Sequence, residues 1–142
     1  MDLQDNYNEF IQNLKSKLDL KKETIFLCIG TDRVIGDSIG PITGSLLKNR
    51  FCDMRVYGDL NHNLTFDNIE TKINEINLKF KNPYIVAIDA ALSNEQNIGK
   101  IFVDENGINI GEGLDKNQNR VGDIGVKVVV GKDYNDSDLN FK

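Results

Sequence analysis

Two short, almost wholly apolar runs constrain the fold of this chain more than anything else in it: Thr24 to Ile29 (TIFLCI) and Tyr84 to Asp89 (YIVAID). Runs of this length, rich in β-branched residues and without polar alternation, read as strands covered on both faces. A sheet covered on both faces needs helices between its strands, and the chain supplies them. Tyr7, Phe10, Ile11, Leu14 and Leu18 recur at helical spacing ahead of the first run. Ile69, Ile73, Ile76 and Phe80 do the same in a helix expected from about Phe66 to Phe80, which Pro83 stops. Between them, Pro41 suits the first turn of a helix, where its missing N–H costs nothing, with Ile42, Leu46 and Leu47 as the expected buried stripe.

A short strand at Met54 to Tyr57, a hairpin over Lys100 to Ile110 turning at Glu105, Asn106 and Gly107, and a last strand within Val121 to Val130 complete the pattern. Strands alternating with helices imply an α/β fold with three layers and a mainly parallel sheet. At 142 residues and 39% hydrophobic, one such domain accounts for residues 1–142. The polar stretch GKDYNDSDLNFK after the last strand has no helical stripe, so the final covering helix of such a fold is expected to be missing. The sheet face left bare would then be met by a partner chain, a second copy included, or by chain that this sequence lacks.

Charge and cysteine content narrow the function classes. The net charge of −5 gives no reason to expect binding to nucleic-acid phosphates, whereas a basic protein partner is compatible with it. Two cysteines are too few for a disulfide framework; Cys28, inside an apolar run, and Cys52 read as reduced thiols, which suits the cytoplasm. The N-terminus is polar and periodic, and no stretch approaches the roughly 18 apolar residues that span a bilayer, so neither export nor membrane anchoring is expected.

The residues with chemistry lie at the ends of the two apolar runs. In sheets of this class, ligands sit beyond the carboxyl ends of the strands, where the strand order reverses. Asp37, in the loop IGTDRVIGDSIGP, and Asp89, closing YIVAID, both fall at such ends. Two carboxylates sharing one site can divide acid and base roles: one near a helix N-terminus stays ionised while a less solvated one holds a proton. Asp89, ending an apolar strand, is expected to be the protonated one. The bland reading of Asp37 is a helix N-cap. Gly36 and Gly40 would let a substrate backbone pass close, although the spacing of Gly30, Gly36 and Gly40 matches neither a dinucleotide fingerprint nor a nucleotide-binding loop. Asp32 ranks below Asp37 and Asp89. His62, the only histidine, reads as a surface loop residue. The glycine-rich segment IGEGLDKNQNRVGDIG, with Asp115, Arg120 and Asp123, reads as a surface loop or as a lid over the substrate.

The segments IGTDRVIGDSIGP, VYGDL, IVAIDAALS, NIGKIFV and VGDIGVKVVV, together spanning most of Ile25 to Val130, resemble the sporulation protein YyaC family. That family is similar to the spore germination protease and, more distantly, to hydrogenase maturation endopeptidases. The resemblance implies a phosphorylase/hydrolase-like α/β fold. It also implies an aspartic-type peptidase acting on small acid-soluble spore proteins, inside the sporulating cell or forespore. The germination protease's essential aspartates, in D-x-L-G-P and A-I-D-A motifs, correspond to Asp37 in DSIGP and Asp89 in AIDA. Its P-G-A-G-V loop corresponds to IGEGL here, which makes Gly111 and Gly113 further expected substrate-binding positions. In the maturation enzymes the two acidic positions bind nickel together with a later histidine; no histidine follows Asp89, so no metal or other cofactor is expected. The expected activity is hydrolysis of a basic or spore protein by the aspartate pair. The alternatives are a non-catalytic protein that binds partners on the same fold, and a metal-dependent maturation peptidase.

Overall fold

The computed structural model describes residues 1–110 and 119–134. Five strands form one sheet: β1 (Thr24–Cys28), β2 (Arg55–Tyr57), β3 (Tyr84–Ser93), β4 (Ile101–Asp104) and β7 (Ile124–Lys132), in the order β2-β1-β3-β7-β4. All pairings are parallel except that of β4 with β7. A two-stranded ribbon pairs β5 (Ile108–Asn109) with β6 (Arg120–Val121). The helices are α1 (Leu3–Lys17), α2 (Ile39–Arg50) and α3 (Ile69–Lys79).

The expected three layers form around this sheet. On one face Cys28, Val56, Val86, Ile88 and Val126 meet Phe10, Leu14 and Leu18 at the α1 end and Leu47 of α2. On the other, Ile25, Leu27, Ile85 and Ala87 meet Ile69 and Ile76 of α3, with Ile108 and Val121 of the ribbon extending the cover. The chain leaves β1 for β2 through α2 on one face and returns to β3 through α3 on the other. The strand order therefore reverses at the boundary between β1 and β3, which opens a crevice beyond their carboxyl ends.

Each helix docks by different chemistry. The N-cap of α1 is Asp2, whose carboxylate accepts the Asp5 N–H at 2.8 Å. Asn6, one turn in and buried, holds the helix against the sheet: its side-chain amide donates to Ile101 O at 3.0 Å and accepts from Ile101 N at 2.7 Å. Of the expected apolar stripe of α2, Leu47 packs on the core, whereas Ile42 and Leu46 are exposed. Gly40, Pro41 and Gly44 face inward instead. A side chain on either glycine is excluded, because a Cβ on Gly40 would lie 1.9 Å from Ile29 O and one on Gly44 1.8 Å from Gly58 O. Backbone contact at these two glycines, with the Pro41 and Leu47 side chains beside it, seats this helix.

The segment from Lys100 to Ile110 does not fold into the expected hairpin. Its first half, β4, pairs antiparallel with β7, while its second half, β5, pairs with β6. The turn at Glu105–Gly107 thus hands the chain from the sheet edge to the ribbon above it. The helix expected from Phe66 begins at Ile69, with Asn68 at its N-cap. The polar tail where a covering helix was expected to be missing falls largely at 135–142, outside the described residues. Among the described residues, no helix is long and apolar enough to cross a membrane.

Replacing Gly40 or Gly44 by Ala is expected to cost about 1–3 kcal/mol, because the helix must lift off the strand. Gly36→Ala, which meets nothing within 4 Å, is expected to change stability by less than about 0.5 kcal/mol. Urea denaturation of the three variants checks the contrast.

Candidate functional site

The loop that carries Asp37 is folded back onto the end of β1 by a set of backbone hydrogen bonds. Ile29 N donates to Ile88 O at 2.8 Å and Gly30 N to Leu64 O at 2.9 Å, so the chain is held on both sides as it leaves the sheet. Thr31 N then donates to Asp37 O at 2.9 Å, closing the loop over the strand end. Gly30 makes this closure possible. Its φ is +143°, and a Cβ there would lie 2.2 Å from Asp37 O.

Asp37 ends a single 3-10 turn, Ile35–Asp37, immediately before α2. It is not the helix cap: Ser38 occupies that position, and the Ser38 hydroxyl donates to Ile35 O at 2.9 Å instead of capping a helical N–H. The Asp37 carboxylate is thus not engaged as an N-cap. Partial burial raises its pKa above the ordinary 3.8, against a lowering by the Thr31 N–H.

Asp89 lies at the same level of the sheet, although it does not end its strand, because β3 runs on to Ser93. The strand that ends there is β1, whose last paired residue, Cys28, lies beside Ile88. Asp89 is therefore the first residue of β3 beyond the end of β1. Burial pushes its pKa up to about 7. The Ala90 N–H, 2.8 Å from Asp89 Oδ1, works against that rise; the charge of Asp37 adds to it, and the charge of Lys127 opposes it. The charge of Asp37 is thus felt at Asp89 despite the separation of the two in sequence.

Lys127 was not singled out by its sequence context, yet it is the residue of β7 in register with Asp89, so both side chains leave the same face of the sheet. Its ammonium is held at 2.9 Å by Asp104 of β4, which Arg120 also approaches at 3.5 Å. A single lysine inside the apolar run GVKVVV was the available signal, since an unpaired charge in such a strand needs a partner.

The other expected site residues separate. Gly36 is exposed and lines a cavity of about 350 Å³ with Asp37, Val34, Ala90 and Leu92. Gly40 is buried against β1; its missing side chain serves helix packing and offers nothing to an approaching substrate. Gly111 and Gly113, with Asp115, lie outside the described residues. Arg120 and Asp123, expected in the loop or lid, are built into the frame. Arg120 belongs to β6 and donates to Gly107 O at 3.1 Å, while Asp123 accepts the Ile85 N–H and donates its own N–H to Ile85 O, each at 2.7 Å. Asp32 is exposed, and its N–H is bonded to Asn63. His62 is an exposed loop residue whose Nδ1 lies 3.7 Å from Asp59. Asp59 is the buried acid that sequence reasoning passed over. It pairs with Lys48 at 2.5 Å and accepts the N–H groups of Asn61 and His62. Although burial alone would raise its pKa, these partners bring it below the ordinary value. That makes it a loop-building residue. Cys28 is buried, with its thiol pushed up to about 12 by burial, and so is inert. Among the described residues, no three His, Cys, Asp or Glu side chains are grouped to hold a metal ion.

Residues 1–140 match the family described as "Protein of unknown function (DUF1256)". The chain is 36% identical over 110 residues to a protein of Bacillus subtilis (strain 168) described as "Uncharacterized protein YyaC", an alignment that covers 77% of this chain and 54% of that protein. The chain thus spans about half the length of the curated relative that it matches. No solved structure matches it.

The Asp89 shift has a sign that stability measurements can read. The folded state retains a proton that the unfolded chain releases, so the stabilisation is complete below pH 3.8 and is lost as pH rises towards about 7. Asp89→Asn is expected to remove this pH dependence and to raise the melting temperature relative to the parent at pH 8, as read by thermal melts across pH 4–8.

Proposed function

This chain belongs to the DUF1256, YyaC-like family, and from that premise we propose that it is a peptidase whose hydrolytic site is the pair Asp37 and Asp89. The observation that carries the reading is the convergence of two half-buried acids at the point of strand-order reversal, with one of them held near neutrality. In this reading the ionised Asp37 removes a proton from a water molecule as its oxygen adds to the peptide carbonyl carbon. Protonated Asp89 gives its proton to the carbonyl oxygen. When the tetrahedral intermediate collapses, one of its hydroxyls returns a proton to Asp89 as the C=O bond re-forms, the C–N bond breaks, and the departing nitrogen takes up the proton that Asp37 holds. Neither step needs a group outside this chain, a water and the peptide.

Lys127 supports the assignment of roles. Its ammonium lowers the Asp89 pKa, while Asp104 competes for the same charge and limits that effect. Asp89 therefore keeps a proton at neutral pH yet remains able to lose one, as a general acid requires. The net charge of −5 favours basic substrates, and the resemblance to the germination protease points to small acid-soluble spore proteins within the sporulating cell. A protein that binds these substrates without cutting them is the competing outcome.

The test is mass spectrometry of small acid-soluble spore proteins incubated with the parent chain, Asp37→Asn and Asp89→Asn. Discrete peptide products from the parent, formed at least about 100-fold more slowly by either variant, are expected. The parent's kcat/KM is expected to fall as pH rises above about 7, because Asp89 then loses the proton that it must donate. Substrate left intact by all three proteins overturns hydrolysis.

A further inference from the structure

Among the described residues, the edge of β3 beyond Asp89 is open. Ile88 O accepts from Ile29 N, so residue 88 directs its main-chain groups towards β1. Strand alternation turns those of Ala90 to the same side, where β1 has already ended, and although the pairing with β7 shifts register between Ala91 and Leu92, Ser93 O accepts from Asp133 N on the β7 side, which leaves Leu92 turned as Ala90 is. Among the described residues no strand pairs there. The Ala90 N–H is occupied by the Asp89 carboxylate, and Ala90 and Leu92 both line the cavity of about 350 Å³. Across that cavity stand Val34 and Gly36, and Val130 completes its wall. Val34 and Leu92 are more than half exposed, an apolar pair at the strand edge.

Gly36 is an independent pointer. Its φ is not positive and no neighbour lies within 4 Å of the Cβ it lacks, so neither the turn nor the packing requires glycine. A side chain there would start with none of the described residues other than its chain neighbours within 4 Å. Asp37 sits at one end of the cavity, and Glu95 and Lys132 flank Leu92 at the other. Lys132, beside Glu95, has its ammonium over the Tyr134 ring at 5.9 Å.

We propose that this edge is a substrate groove in which an extended peptide of alternating basic and apolar residues adds to the sheet as a strand along Ala90–Leu92. The peptide's main chain pairs with the open edge, and its apolar side chains rest on Val34, Leu92 and Val130. Its basic residues meet Asp37 and Glu95. A strand laid there runs directly to Asp89, so the groove would deliver a peptide bond in extended form to the two carboxylates. This deepens the peptidase reading and rests on it for the role of the groove, although binding can be measured without turnover.

The test uses the acetylated, amidated hexapeptide Lys-Val-Lys-Val-Lys-Val and two isomers, one N-methylated on its three valines and the other on its three lysines. In an extended strand these two sets of N–H groups point to opposite edges, so each isomer blocks one edge. Amide shifts are followed by NMR on the full chain and on Asp37→Asn, and the peptide is recovered for mass spectrometry. The expected result is a perturbation centred on Ala90–Ser93, with one isomer binding roughly tenfold or more weakly and the other like the parent peptide. Equal binding by both isomers, shifts centred elsewhere, or no shift at millimolar peptide overturns the groove. Cleavage without a perturbation at Ala90–Ser93 removes the groove and leaves the peptidase; binding there without cleavage does the reverse.

Discussion

The contact on which the rest of the molecule depends is the meeting of α2 with the backbone of the sheet. Gly40 and Gly44 bring the helix close enough to the Ile29 and Gly58 carbonyls that no side chain fits between. Helices usually approach a sheet at a distance set by interdigitating side chains. Here the approach is set by main-chain surfaces, so the start of α2 lies directly against the end of β1. The loop between the two elements is folded back by the Thr31 N–H to Asp37 O bond, and Gly30 takes up the sharp turn at its start. Asp37 is the last residue of that loop before the helix begins, and its height above the sheet follows from helix packing.

The second acid is placed by a different rule. Asp89 is fixed by strand register: β3 continues past the end of β1, and the first residue without a neighbour on that side carries the carboxylate. Burial and the proximity of Asp37 favour its protonated form, and the lysine across the ladder resists them. Because Lys127 is held by Asp104, which belongs to the antiparallel edge strand, the charge balance at the centre of the sheet depends on pairing at its rim. A change in β4 would therefore be felt electrostatically at Asp89 without any movement of β3.

Much of this was legible in the sequence where the signal is local. The unbroken apolar runs around Ile25 and Val86, and the spacing of Phe10, Leu14, Ile69 and Ile76, gave the layers and the parallel sheet, because burial on two faces leaves a periodicity that needs no partner to be read. Asp37 and Asp89 were legible as acids that follow apolar runs, although β3 runs on past Asp89 to Ser93. What escaped detection depends on distant pairing. Ile42 and Leu46 look like a buried stripe until the glycines of the same helix are seen to occupy the sheet side. The halves of the segment around Glu105–Gly107 carry a good local hairpin turn, but β7 and β6 are better partners for them, and no turn residue encodes that choice. Lys127 and Asp104 acquire meaning only once two registers, β3 with β7 and β7 with β4, are known.

Asn6 has a consequence beyond anchoring its helix. The outer rim of an open sheet is a template, and its free N–H and C=O groups accept a strand from any other molecule. At Ile101 both groups of the rim strand are already satisfied by one side-chain amide, which imitates a strand neighbour without continuing as one. The first helix is thus also a stopper: at that point it denies an incoming strand its anchorage, and with it the edge-to-edge stacking by which exposed sheets grow into fibrils.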